Sequence, residues 1–107
     1  MNADPPIKLS ELRDIGWKEW DPIGLLPAGE VWDHKPFADE YDGYLRKVAG
    51  DFRRGGSVDE AIRYLLDCER EHMGLGVRPG QETRAKVTAL SIQRYMAELD
   101  GIDPASA

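Results

Sequence analysis

Gly55-Gly56-Ser57-Val58-Asp59-Glu60, continuing as Ala61-Ile62-Arg63-Tyr64-Leu65-Leu66-Asp67-Cys68-Glu69-Arg70-Glu71-His72-Met73-Gly74, is the stretch whose reading decides the fold. The glycine pair ends whatever precedes it, and Ser57 with Glu60 forms a capping box. In such a box the serine side chain accepts from the N–H of residue 60 while Glu60 reaches back to the N–H of residue 57. The spacing predicts a helix from 57 to about Met73, with Gly74 as its stop. Its apolar stripe is Val58, Ile62, Leu65, Leu66 and Met73. A two-glycine link makes this helix an antiparallel neighbour of the one before it.

Working outward, residues 36–54 predict that preceding helix. Pro36 stands near its first turn, where a missing N–H is harmless. Phe37, Tyr41, Tyr44, Leu45, Val48 and Phe52 share one face at the helical period. Acids at 39, 40 and 42 and bases at 46, 47, 53 and 54 complement the helix dipole. Gly43 and Gly50 fall opposite the stripe, which fits either a close backbone approach or a solvent face. Beyond the turn Arg78-Pro79-Gly80, a last helix is predicted over 81–99, with Ala85, Ala89, Ile92, Tyr95, Met96 and Leu99 inward. Val87 and Leu90 lie on its other side and offer a homodimer contact. Ile7 to Gly16 predicts a short amphipathic helix ended by Gly16.

Between the first two helices, residues 17–36 are broken by prolines and glycines and carry Trp17, Trp20 and Trp32. Rings that each cover roughly 150–250 Å² are costly to leave in water, so this segment reads as an ordered strap over the core. The fold expected is all-α: one domain over residues 1–107, a compact three- to four-helix bundle with a Trp/Pro-rich N-terminal strap. Residues 1–6 and 100–107 are expected to be loose.

The totals narrow the function. The net charge is −6, with 10 acidic and 4 basic side chains in residues 1–45 and 10 of each in residues 46–107. That balance argues against nucleic acid, which is normally met by a basic patch, and toward a basic protein partner. The acids expected to face it are Asp21, Asp33, Asp39, Glu40 and Asp42. The single Cys68 has no partner for an intramolecular bridge, and no apolar run reaches the roughly 20 residues of a membrane span. A cytoplasmic protein with no membrane contact and no cofactor is expected.

Two side chains break the apolar pattern of the 57–73 helix: Glu69 projects into its stripe and His72 lies at its edge. A carboxylate there needs donors, expected from the indole of Trp17 or Trp20 or from backbone N–H groups of the Pro-Gly loop, so Glu69, His72, Trp17 and Trp20 read as a structural polar lock. The alternative is a small metal-binding protein or enzyme. Glu69 and His72 are spaced Glu-x-x-His, and His34 with the Asp39/Glu40/Asp42 cluster would complete a loose site. The second Glu-x-x-His of a di-iron bundle is missing. No nucleophile elbow, phosphate loop or calcium loop is present, so no catalytic residue is assigned.

Trp20-Asp21-Pro22-Ile23-Gly24, then Asp39-Glu40-Tyr41-Asp42-x-Tyr44, then Glu69-x-x-x-Met73-Gly74-Leu75 resembles a group of small uncharacterised bacterial all-helical proteins sharing W-D-P-I-G, D-E-Y-D-x-Y and E-x-x-x-M-G-L. The resemblance spans residues 17–75 and leaves the last helix unmatched. Some similar proteins look like immunity partners in toxin–antitoxin type loci. The resemblance brings no activity and no catalytic residue; with the acidic charge balance it suits a non-catalytic protein-interaction module, immunity-type or regulatory, binding a basic partner.

Overall fold

Gln81–Leu99 is the longest helix, and the other helices are laid on it. In the computed structural model, which describes residues 5–101, it is α4, preceded by α1 (Leu9–Ile15), α2 (Asp42–Arg53) and α3 (Val58–Asp67). No strand forms among the described residues, so the protein is an all-α bundle. The ends expected to be loose lie partly outside the described residues, at 1–4 and 102–107. Where they are described they are tied down. Arg53 donates to the Pro5 carbonyl at 2.6 Å and pairs with Asp100 at 2.7 Å, and the Lys8 N–H donates to the Tyr95 hydroxyl at 2.9 Å.

The capping box of Ser57 and Glu60 is formed in both directions. Ahead of it, the Gly56 N–H donates to the Asp51 carbonyl at 2.8 Å. A Cβ on Gly56 would stand 2.9 Å from that oxygen, so only glycine turns the chain back this tightly. α2 and α3 nevertheless share little contact and are bridged mainly through α4. Ala85, Ala89 and Ile92 of α4 are fully buried with Leu12, Leu45, Val48 and Leu65. The small alanines let neighbouring helices come close.

Two helices finish in a π-turn that the sequence does not announce, although the second still ends at Met73, before Gly74, as expected. Gly16 does not stop α1; its φ of −61° is right-handed, and the chain continues as a π-helical turn over Gly16–Trp20. α3 likewise ends at Asp67 in a second π-turn, Cys68–His72, before Met73. Both are closed by i→i+5 hydrogen bonds, from Asp21 N–H to the Gly16 carbonyl at 2.9 Å and from Met73 N–H to the Cys68 carbonyl at 2.7 Å. A Cβ on Gly16 would lie 2.6 Å from Cδ1 of Leu45, so this glycine lets α1 settle on α2.

α2 begins at Asp42 rather than at Pro36. The Trp17 Nε1–H takes the Ala38 carbonyl at 3.1 Å, which a helix would have given to the N–H of Asp42. That N–H turns instead to Asp39, and residues 36–41 form successive tight turns. The irregular strap therefore spans 21–41. Gly43 and Gly50 face no other backbone: a Cβ on Gly43 would meet open space, and one on Gly50 only the Arg54 guanidinium at 3.3 Å.

Candidate functional site

Each indole N–H is spent on holding the strap and the π-turns. Trp17 serves Ala38, Trp20 donates to Glu69 Oε1 at 3.0 Å, and Trp32 donates to Asp14 at 2.7 Å. Of the four residues expected in one polar lock, Trp20 and Glu69 meet. Trp17 goes elsewhere. His72 is exposed, edge-on to Tyr44 with ring centroids 5.7 Å apart. Glu69 is fully buried, and its Oε2 has no hydrogen-bond partner, the Arg84 guanidinium standing 3.7 Å away.

Asp21 and Asp42 are corrections to the expected partner surface. Asp21 ends the first π-turn at φ 27°, and its carboxylate accepts from the N–H groups of Gly24, Leu25 and Leu26 and from the Tyr41 hydroxyl, at 2.8 to 3.1 Å. Tyr41 in turn accepts from the Ile23 N–H at 3.2 Å. Asp42 is gripped by both Nε and NH2 of Arg13, at 3.0 and 2.6 Å, and this raises the Arg13 pKa. Both acids are half-buried and committed internally. Asp33, Asp39 and Glu40 are exposed.

Among the described residues no three His, Cys, Asp or Glu side chains gather as metal ligands. Glu69 points into the core, His72 out of it and His34 lies on the strap, so the loose metal site does not assemble. No helix among the described residues is long and apolar enough to cross a membrane. Val87 and Leu90 are 43% and 42% exposed on α4.

What does assemble is a groove of about 780 Å³ where the start of α2 and the end of α3 diverge. The more buried Tyr44, Tyr64 and Cys68 form its floor, and the exposed Glu40, Gly43, Asp67, Glu71 and His72 its rim. That volume falls within the roughly 300–1,000 Å³ typical of ligand-binding clefts. Burial raises the Tyr44 and Tyr64 hydroxyl pKa values and pushes the Cys68 thiol up, so the floor stays neutral and the thiol unreactive at ordinary pH. None of the carboxylates of Glu40, Asp67 and Glu71 makes an ion pair or hydrogen bond among the described residues.

Sequence reasoning placed Glu40 on a contact surface and gave Asp67 and Glu71 no role. Tyr64 and the open position at Gly43 were missed as lining. The available signal was the i, i+4 spacing of Asp67 and Glu71, which sets both on one face beside Tyr64. No family model matches the chain, and neither a curated protein nor a solved structure matches it.

Proposed function

We propose that this chain is a non-catalytic interaction module of the cytoplasm that holds a basic protein partner. The observation that carries the reading is the convergence of Glu40, Asp67 and Glu71 on one groove with no cation of the chain's own bonded to them. Charges spent internally stabilise a fold, whereas unpaired charges around a concave surface steer and select partners. Immunity-type binding of a basic toxin is the form of this reading that the resemblance over residues 17–75 supports.

The test is capture from native lysate on immobilised protein, with elution by salt. The expected result is a basic protein released between about 0.15 and 1 M salt, where the Debye length falls from about 8 to 3 Å. It should be lost when Glu40, Asp67 and Glu71 are all replaced by lysine. A partner indifferent to salt and to those substitutions overturns the proposal.

A further inference from the structure

We infer that the groove between α2 and α3 receives an arginine side chain of a protein partner, with Gly43 as the residue that keeps its entrance open. This deepens the proposed function and rests on it. Three features fit that occupant.

The rim supplies Glu40 from one side and Asp67 and Glu71 from the other, and none of these carboxylates is engaged elsewhere in the described residues. A guanidinium, with donors along two edges of a plane, satisfies carboxylates on opposite walls at once. An ammonium is a point charge and serves one wall at a time.

The floor is aromatic. Tyr44 is held in place edge-on between Trp20 and His72, at centroid distances of 5.9 and 5.7 Å. Tyr64 already carries a cation, the Lys47 ammonium standing 5.1 Å from its ring centroid. Tyr64 thus accepts positive charge within the chain itself, and a guanidinium adds stacking to that attraction. Lys47 is itself paired with Asp51 at 2.9 Å, so it leaves the carboxylates of Glu40, Asp67 and Glu71 unengaged.

The entrance is a missing side chain. Gly43 lies in regular helical backbone, where any residue fits, and a Cβ there would meet nothing within 4 Å. The vacancy opens onto the groove, and filling it with a ring would close the approach to Tyr44 and Tyr64.

The experiment is an NMR titration of ¹⁵N-labelled protein with acetyl-Gly-Arg-Gly-amide, alongside its lysine and citrulline counterparts. Saturable shifts are expected at Gly43, Tyr64, Cys68 and Glu71. The arginine peptide should bind about three-fold or more tighter than the lysine peptide, and the neutral citrulline peptide should not bind. Gly43→Phe and Glu71→Lys should each weaken binding about ten-fold or more, whereas Gly43→Ala should leave it nearly unchanged. Glu71 is exposed, so its variant decides the matter even where Gly43→Phe fails to fold. Shifts confined to the Asp33 and Asp39 surface, equal binding of the citrulline peptide, or Glu71→Lys binding like the parent overturns the inference. A salt-labile lysate partner retained by Gly43→Phe removes the groove inference alone. Absence of any basic partner removes the proposed function, and peptide binding at the groove then stands or falls by its own titration.

Discussion

The Trp20 indole N–H and the Glu69 carboxylate meet at 3.0 Å, and this buried contact joins the two π-turns of the molecule across 49 residues of sequence. Each π-turn widens a helix by one residue per turn, a geometry rare enough in general to need tertiary support. Here each turn presents the group the other requires. Trp20 is 1% exposed and Glu69 is inaccessible, so neither finds a substitute in water.

Glu69→Leu should lower stability by about 1–3 kcal/mol, because the Trp20 N–H is then buried without an acceptor. Glu69→Gln keeps an acceptor for the Trp20 N–H and gives up only the loose 3.7 Å contact with the half-exposed Arg84, so it should fall within about 1 kcal/mol of the parent. Urea denaturation of both variants, with Trp20→Phe to complete a double-mutant cycle, measures the contact. A leucine variant as stable as the parent would remove the structural role given to Glu69.

Asp21 combines a left-handed backbone with a carboxylate that four donors share. Asp21→Ala loses the acceptor and keeps the strained φ, so a loss above about 2 kcal/mol is expected. Asp21→Gly loses the same bonds while relaxing the backbone, and should be about 1 kcal/mol more stable than the alanine variant. Thermal melts of the pair separate the two contributions; an alanine variant equal to the glycine variant would mean that φ carries no strain.

Gly16→Ala sets a gain of roughly 0.5–1 kcal/mol in helix propensity against overpacking of about 1–3 kcal/mol. The clash is with Leu45, which is only 1% exposed and has little room to yield, so the overpacking should win. Adding Leu45→Val should recover part of the loss. Denaturation midpoints of the two single variants and the double variant check this, and strict additivity would place the strain elsewhere.

At high pH the fold should weaken. Burial raises the pKa of Cys68, Tyr64 and Tyr41 in the folded chain. The unfolded chain ionises first, at about 8.5 for cysteine and about 10 for tyrosine. The stability these groups contribute is therefore complete below those values and is lost as pH rises through the folded ones. Urea midpoints measured from pH 7 to 11 should stay level to about pH 8.5 and then decline, and Tyr64→Phe should make the decline shallower. A profile that rises above pH 9 would contradict the burial of these hydroxyls.

The boundaries written in local chemistry were legible: Ser57 with Glu60, the glycine link, and Gly80 before α4. So was the inward aim of Glu69, because it lies only at the start of the second π-turn, where the 3.6-residue phase still holds. His72, at the end of that turn, has slipped out of phase and stands exposed. The late start of α2 was hidden because it depends on a carbonyl taken by Trp17, 21 residues earlier. Asp21 looked like a surface acid because three of its four donors are backbone N–H groups, which leave no mark in sequence. The groove joins Glu40 to Asp67 and Glu71 across two helices, and no periodicity within either one reports their divergence.

The hydrogen bond from the Tyr41 hydroxyl to Asp21, 2.8 Å long, has one further consequence for anyone who would modify this chain. It brings together two positions 20 residues apart, so the excursion between them leaves and re-enters the bundle at one place. Its tip, Pro27 to Val31, is exposed throughout. Doubling such a loop costs only about 0.6 kcal/mol of closure entropy. A peptide spliced between Ala28 and Gly29 should therefore be carried as cargo on a rigid handle, leaving the melting temperature within a few degrees of the parent and making the molecule a small display scaffold.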